Sequence, residues 1–398
     1  MRLIDKIRQK KEGLAVYDEF YGELVYPKLE GLLKNRMLFK GREVITWSFN
    51  DYLGYQCDQR VIEAETAFVS MFGAGYPAGS RLLTGNTEYH EKLEDEIAQL
   101  VGKPTMLVNL GYAGIMSTIQ SLVDRNDTVI YDQEVHACLV DGARLHLGKR
   151  RSFRHNDIEH LEAQLKASKS ALGGTLVLVD GVYSMRGDCA ALSAIIELKK
   201  RYEFTLLVDD AHGWLTFSNQ GSVGDLMKEV DIYIATFAKA AATVGGFIAA
   251  DKDIIQHLKY NVRSQVFGRT LQLVNVYSVL FKLDLIRDEG DNRRNTLWSN
   301  TKKLQTGLQS IGLNIGDTTS PITPVYFDCP EEVSAEIIQT LRYEYGIFCS
   351  CVTYPVIPKG RFILRLIVTA LHTDDDIKQT LKAFSYVKER LSRNVELS

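Results

Sequence analysis

The chain has 398 residues, of which 45% are hydrophobic and 24% charged, and its formal net charge is −3 at pH 7. This balance is ordinary for a globular protein with a large core, and it excludes bulk electrostatic attraction to nucleic acid or acidic lipid. No apolar run approaches the ~20 residues of a membrane span, and the first residues lack the apolar segment of a secretory signal. Because the six cysteines are scattered without a C-x-x-C pair, we expect a cytoplasmic protein with reduced thiols and no metal site.

Residues 1–45 are predicted to form an N-terminal arm, in which a charged amphipathic helix precedes a Tyr- and Leu-rich stretch. Such an arm packs on a partner subunit or on its own body more often than it binds a membrane. A polar turn at 50–54 and a glycine-dense loop at 73–81 come next. Glycine permits close backbone approaches, so this loop is either a ligand cradle or a flexible connection.

Six short apolar runs alternate with helical segments between residues 105 and 250. Continuous apolar strands that alternate with helices are typical of a mostly parallel sheet covered on both faces. We therefore expect an α/β fold with a large domain over residues 46–270, and a ligand site beyond the strand ends. The runs are 106–108, 128–131, 175–179, 205–208, 232–236 and 246–250.

Small or polar residues follow the earlier runs of this series. Gly111 and Tyr112 open a helix after the first run, and the free N–H groups at a helix N-terminus bind anions. His136 comes after the second run, where a histidine is more often structural than catalytic. The loop 180–188, which includes Ser184, brings exposed polar groups to another strand end.

Two later runs end in the groups that pyridoxal 5'-phosphate (PLP) chemistry requires. Asp209 and His212 follow one run, while Thr236 ends the next and Lys239 enters a tight turn just beyond it. A lysine can form a Schiff base with an aldehyde, and a carboxylate and a histidine can act on the cofactor ring. Together these residues predict PLP as the cofactor.

Residues 271–398 are predicted to form a smaller C-terminal α+β domain. A long helical segment at 271–312 leads into apolar strands and a helix at 331–345. The final helix begins at Thr373 with three aspartates in its first turn, as the helix dipole favours. Its apolar residues recur at helical spacing and indicate one buried face.

Several segments resemble, in order, the motifs of the α-oxoamine synthase family of PLP-dependent acyltransferases. The matches span residues 50 to 373, and they are specific for the family rather than for one member. The matching segments are 50–54 (NDYLG), 79–86 (GSRLLTGN), 111–112 (GY), 136–142 (HACLVDG), 181–185 (GVYSM), 209–213 (DDAHG), 236–239 (TFAK), 364–366 (LRL) and 369–373 (TALHT).

The resemblance implies the aminotransferase fold of type I and a homodimer with shared active sites. It also implies the reaction, in which an amino acid is joined to an acyl thioester of coenzyme A or acyl carrier protein and CO2 is released. Neither nucleic acid nor a membrane is an expected partner.

The resemblance also implies roles for residues of this chain. Lys239 would hold PLP through an imine and later act as a base, Asp209 would pair with the pyridine nitrogen, and His136 would stack on the ring. His212 would reach the side of the PLP ring that carries the phenolic oxygen, with Ser184 nearby. The phosphate would be received by Gly111, Tyr112 and Thr236, and the substrate carboxylate by Arg365 with help from Asn50.

The sequence departs from the family at three places. Ala238 stands where relatives carry Ser or Gly, and bulky residues replace a glycine-rich turn at 213–223. Gly268 and Arg269 stand where relatives carry hydroxyl residues that reach the phosphate of the other subunit's cofactor. Arg269 could bind that phosphate, face the acidic side chain of an unusual amino acid, or lie on the surface.

Within the family, the segments 181–188 and 240–247 are most similar to those of serine palmitoyltransferases. They favour a long-chain acyl donor and a role in sphingolipid biosynthesis. The open alternatives are glycine C-acetyltransferase or aminooxononanoate synthase activity, a cysteate-using acyltransferase with Arg269 facing the sulfonate, and a plain aminotransferase. A catalytically silent binding subunit is disfavoured because Lys239, Asp209, His212 and Arg365 are all present.

Overall fold

The structure is a computed structural model that describes residues 2–9, 26–168, 173–328, 331–353 and 360–396. Part of the predicted arm, residues 10–25, lies outside the described residues. The predicted domain boundaries at 45 and 270 stay predictions. The chain divides into a larger compact unit, Asn50–Trp298 with Asp317–Pro321, and a smaller one, Met1–Phe49 with Ser299–Gly316 and Ile322–Ser398.

The strands of the described residues form three sheets. We number them in chain order: β1 (Leu29–Glu30), β2 (Arg36–Phe39), β3 (Arg42–Thr46), β4 (Thr105–Val108), β5 (Thr128–Asp132), β6 (Lys149–Phe153), β7 (Thr175–Asp180), β8 (Thr205–Asp209), β9 (Ile232–Thr236), β10 (Gly246–Ala250), β11 (Ile322–Phe327), β12 (Ile347–Phe348), β13 (Ser350–Val352) and β14 (Phe362–Ile367).

The larger unit is built on a seven-stranded sheet with the order β4-β10-β9-β8-β7-β5-β6. Strands β9, β8, β7, β5 and β6 are parallel, whereas β10 is antiparallel to both of its neighbours. All six predicted runs are strands of this sheet, and the predicted mostly parallel α/β fold is confirmed. The inner strands β8 and β9 are almost entirely buried, as expected for a sheet covered on both faces.

Strand β6 is missing from the predicted runs, for a physical reason. Among the strands of the described residues it is an edge strand that pairs only with β5, and four of its five residues are charged or polar. Phe153 is its one buried residue. A segment with one apolar residue has no hydrophobic pattern that predicts a strand. Its strand conformation depends on pairing with β5 rather than on its own sequence.

Helices cover the sheet of the larger unit. The helix Glu88–Val101 has acidic residues in its first turn and ends at Gly102, whose φ of 74° is left-handed and suits glycine. The other helices with residues in this unit are Gln59–Phe72, Gly111–Leu122, Ala137–Leu145, Ile158–Ala167, Leu192–Lys199, Lys252–Asn261, Arg263–Val266 and Leu273–Ser310, with a 3-10 turn at Gly224–Glu229.

The smaller unit holds two short sheets, β1-β2-β3-β12 and β11-β14-β13. Its helices include Glu331–Gln339, which continues into a π-helical turn at Thr340–Glu344, and Asp374–Glu396. The N–H of Thr373 donates to Asp376 Oδ2 at 2.9 Å and the N–H of Asp376 donates to Thr373 Oγ1 at 3.2 Å. This reciprocal cap starts the final helix at the predicted residue.

Among the described residues, no helix combines the length and the apolar character that crossing a membrane requires.

Candidate active site

A cavity of about 140 Å³ opens at the carboxyl ends of strands β8 and β9 of the larger unit. Its lining includes every residue that the sequence predicts to bind the cofactor. Those residues are Gly111, Tyr112, His136, Ser184, Asp209, His212, Thr236 and Lys239. The cavity is also lined by Ile115, Cys138, Ala211 and Ala238.

Lys239 lies in the turn that follows β9. The Ala242 N–H donates to the Lys239 carbonyl at 2.8 Å, and the Thr243 N–H donates to the Phe237 carbonyl at 2.9 Å. Ala242 has a φ of 48°, a left-handed conformation that residues other than glycine seldom adopt. The buried strand and this closed turn fix the backbone of Lys239, whose side chain lines the cavity.

Asp209 ends β8 and is 3% exposed. Its Oδ1 accepts from the Ala211 N–H at 3.1 Å and its Oδ2 accepts from the Cys138 thiol at 3.5 Å. Burial raises the pKa of Asp209, while the charges of His136 and Lys239 act in the opposite direction. A buried carboxylate of this kind is stabilised by an adjacent cation, so a protonated pyridine nitrogen fits this position chemically.

His136 caps the helix Ala137–Leu145. Its Nδ1 accepts from the Cys138 N–H at 3.3 Å and lies 2.9 Å from Cys138 Sγ. Its backbone N–H donates to the Asp180 carboxyl at 3.1 Å. The fixed backbone leaves the imidazole at the cavity, where a flat ring can lie against a flat cofactor. Donor atoms of His136, Cys138 and Asp209 lie within 4.8 Å of one another, so the expected absence of a metal site stays a prediction.

His212 is buried and contacts a residue to which the sequence gave no role. The hydroxyl of Tyr52 lies 2.7 Å from His212 Nδ1, and the two rings meet edge to face. Tyr52 belongs to the polar turn at 50–54. Because the segment 50–54 is one of the motifs that resemble the family, it could have pointed to Tyr52 as a site residue, just as the segment 209–213 pointed to His212.

The helix Gly111–Leu122 begins at the cavity. Within the described residues, no side chain caps this helix at Leu110, so its first N–H groups suit an anion. A Cβ added at Gly111 would lie 3.0 Å from Thr236 Oγ1, a tight contact that favours glycine at this close approach. The Thr236 hydroxyl donates to the Gly245 carbonyl at 2.9 Å, and it would have to rotate away from that carbonyl to donate to a phosphate. This cradle fits the phosphate of PLP.

The bulky residues of the segment 213–223 pack beside the turn of Lys239. Trp214 is buried, with its ring centroid 5.7 Å from that of Phe237. Behind it, Asp210 accepts from the Ser222 N–H at 2.8 Å and from the Tyr233 hydroxyl at 2.8 Å. Burial raises the pKa of Asp210 to about 7.

The three predicted substrate residues are not part of the cavity lining. Arg269 is exposed, and its guanidinium donates to the Pro77 carbonyl at 3.2 Å and contacts that of Gly75. Asn50 belongs to the larger unit, whereas Arg365 lies on β14 of the smaller unit. The roles of all three stay predictions.

Comparisons with known proteins show the family to which this chain is similar. Residues 42–384 match the family model for aminotransferase class I and II. A cysteate-C-fatty acyltransferase of Capnocytophaga ochracea is 42% identical over 387 residues, which cover 95% of this chain and 92% of that protein. A serine palmitoyltransferase of Bacteroides ovatus is 37% identical over 384 residues, which cover 94% and 96% of the two chains.

The solved structure of Sphingomonas wittichii serine palmitoyltransferase superposes with a TM-score of 0.91 at 28% identity, and covers 98% of this chain and 99% of that one. The chain therefore belongs to the aminotransferase class I and II family, as a PLP-dependent acyltransferase of the α-oxoamine synthase type.

Proposed function

We propose that the protein condenses cysteate with a long-chain acyl thioester, releasing CO2 and a thiol and forming a long-chain amino ketone. Serine is the second candidate for the amino acid. The choice of cysteate is supported by the 42% identity to a cysteate-C-fatty acyltransferase, and that of serine by the 37% identity to a serine palmitoyltransferase. The observation that carries the proposal is the meeting of all predicted cofactor residues in one cavity.

Asp209 and Lys239 would do the central chemical work. Bound PLP supplies a ring that accepts the electrons left on the substrate α-carbon. Asp209, held by the Ala211 N–H, would keep the pyridine nitrogen protonated. Lys239 would bind the aldehyde of the cofactor and, once the amino acid occupies that position, would take up the α-proton at Nζ.

The remaining residues would orient the reactants. The phosphate would be bound by Gly111, Tyr112 and Thr236, while His136 would lie on the ring. Ser184 and the pair formed by Tyr52 and His212 would contact the phenolic oxygen side.

Arg365 would bind the substrate carboxylate through two parallel hydrogen bonds, with help from Asn50. This clamp would align the bond that breaks with the ring. For cysteate, Arg269 is one candidate partner of the sulfonate. The two alternatives are that Arg269 binds the phosphate of the other subunit's cofactor or lies on the surface.

The test is a titration of the purified holoenzyme with cysteate, serine, alanine and glycine, followed by coenzyme A thioesters of rising acyl length. We expect the absorbance of the bound cofactor to change with cysteate, and CO2 to be released only when a long-chain thioester is added. CO2 release with serine instead of cysteate would favour the second candidate.

Conversion of the cofactor to its amine form without CO2 release would identify a plain aminotransferase and contradict the proposal. The Lys239→Ala variant is the control. It should no longer retain the cofactor covalently after borohydride treatment, whereas the wild type should.

A further inference from the structure

Lys282 is a buried lysine that the proposed chemistry does not use. It lies on the helix Leu273–Ser310 and is 1% exposed, which is rare because an ammonium loses favourable hydration when it leaves water. Burial lowers the pKa of Lys282. A fold that keeps such a group must give it specific partners.

Two of those partners are backbone carbonyls. The Lys282 ammonium donates to the carbonyl of Ala241 at 3.0 Å and to that of Ala242 at 3.2 Å. Its Nζ also lies 3.7 Å from a carboxylate oxygen of Glu65, and Glu65 in turn accepts a hydrogen bond from the Ser278 hydroxyl. The cation is thus held between one carboxylate and one short piece of main chain.

That main chain is the turn that carries Lys239. Ala242 has a left-handed backbone and its N–H closes the turn on the Lys239 carbonyl at 2.8 Å. A left-handed alanine persists only where its surroundings hold it. Hydrogen bonds donated by a buried charge are strong, so Lys282 stabilises the backbone conformation from which Lys239 projects.

The same charge acts on the turn that carries Asn50. Asp51 is buried, and its carboxylate accepts from the N–H groups of Gly54, Tyr55 and Gln56 at 3.1, 3.0 and 2.9 Å. Burial raises the pKa of Asp51, and the Lys282 charge opposes that rise. The charge of Lys282 therefore acts on both the turn 239–243 and the turn 50–54.

We propose that Lys282 is a positioning residue for the reaction, which fixes the turn 239–243 and with it the direction in which Lys239 presents its amine to the cofactor. This inference rests on the proposed role of Lys239. It differs from a purely structural role, in which Lys282 would only neutralise the carboxylate of Glu65, whose side chain is 36% exposed.

The test compares Lys282→Met with the double variant Lys282→Met/Glu65→Gln and with Lys302→Met, an exposed lysine on the same helix. Three quantities are measured: the PLP dissociation constant, the pH at which the absorbance of the bound cofactor changes, and the thermal midpoint of the apoprotein. Methionine approximates the volume of lysine, and removal of both charges of the ion pair avoids leaving the partly exposed Glu65 carboxylate unpaired.

In Lys282→Met we expect the PLP dissociation constant to rise about tenfold or more and the absorbance transition to move to a different pH. The double variant should recover the thermal midpoint but keep both cofactor defects, while Lys302→Met should match the wild type. Recovery of the cofactor properties in the double variant, or wild-type cofactor properties in Lys282→Met, would overturn the inference.

Lys239→Ala separates this result from the proposed function. If Lys239→Ala still retains PLP covalently, the proposed role of Lys239 is wrong. If Lys239→Ala loses that attachment while Lys282→Met binds PLP normally, only the role of Lys282 is wrong.

Discussion

At the scale of single residues, three aspartates end three neighbouring strands of the larger unit. Asp132, Asp180 and Asp209 are the last residues of β5, β7 and β8 and are all buried. Three adjacent buried anions would repel one another strongly. Asp180, in the middle, has a pKa well above its ordinary value because burial and the charge of Asp209 disfavour its charged form.

The outer two aspartates rely on cations. Asp132 has His155, whose Nδ1 lies 3.1 Å from Asp132 Oδ1 and whose Nε2 lies 2.8 Å from Asp188 Oδ2. Asp209 faces the cavity, where the protonated pyridine nitrogen of the cofactor would be its cation. The contact of His155 with Asp188 also holds the loop that carries Ser184. The charge of His155 therefore contributes to the position of that loop at the site.

The first prediction concerns the pH dependence of stability. Burial alone would lower the pKa of His155, but its hydrogen bonds to Asp132 and Asp188 outweigh burial and raise the pKa to about 9 from 6.5. A pKa raised by folding stabilises the folded state, here by about 3 kcal/mol. This contribution is fully present below pH 6.5 and is lost as the pH rises through about 9.

We therefore expect His155→Gln to lower the urea midpoint of unfolding strongly below pH 6.5 and only slightly above pH 9. Unfolding curves of the wild type and the variant at both pH values measure the difference. His257→Gln, at an exposed histidine, is the control. A His155→Gln defect that is equal at the two pH values would show that charge is not the cause.

At the scale of secondary-structure elements, the site is made by strand ends and one helix N-terminus. Parallel strands bring their carboxyl ends to one edge of the sheet, and β8 and β9 place Asp209, Thr236 and Lys239 there. The helix Gly111–Leu122 starts at the same edge with N–H groups suited to an anion. The strand ends would thus hold the cofactor ring, and the helix N-terminus would hold its phosphate.

The second prediction is that Gly111→Val weakens the binding of PLP but not that of pyridoxal, which has no phosphate. An added Cβ would lie 3.0 Å from Thr236 Oγ1 and would crowd the helix N-terminus that receives the phosphate. We expect the PLP dissociation constant to rise about tenfold or more. Equilibrium binding of both compounds to the apoprotein measures this selectivity.

Ala113→Val is the matched control, because Ala113 lies on the same helix and is not part of the cavity lining. Equal weakening of PLP and pyridoxal in Gly111→Val would contradict a phosphate site at this helix.

At the scale of the whole molecule, the family resemblance implies a homodimer with shared active sites. In the single chain, Leu83 is 80% and Phe267 is 74% exposed, so both side chains are accessible to a partner subunit. Phe267 lies in the segment 265–271, which by resemblance reaches the cofactor of the other subunit. We propose that this segment is at the dimer interface.

The third prediction is that Phe267→Glu shifts the protein from dimer to monomer and lowers its affinity for PLP. A carboxylate would be desolvated in the interface without a partner. Sedimentation equilibrium measures the association, and cofactor titration measures the affinity. Tyr386→Glu, at a partly exposed tyrosine of the smaller unit, is the control.

A Phe267→Glu variant that is monomeric yet binds PLP as tightly as the wild type would show that the two active sites are independent of each other.

The sequence alone predicted six of the seven strands of the main sheet and most of the residues that line its cavity, whose roles stay predictions. Short continuous apolar runs that alternate with helical segments favour buried strands, and the candidate reactive residues stand just after them, as Lys239 does after β9 and Asp209 at the end of β8. These features are local, because each depends on a few consecutive residues.

Only the tertiary structure decided the edge strand β6, the contact of His155 with Asp132 and Asp188, the raised pKa of Asp180, and the burial of Lys282 against the turn of Lys239. Each of these depends on residues that are distant in sequence and adjacent in space. The cost of burying a charge and the partner that offsets it are set by the folded environment, which no local pattern encodes.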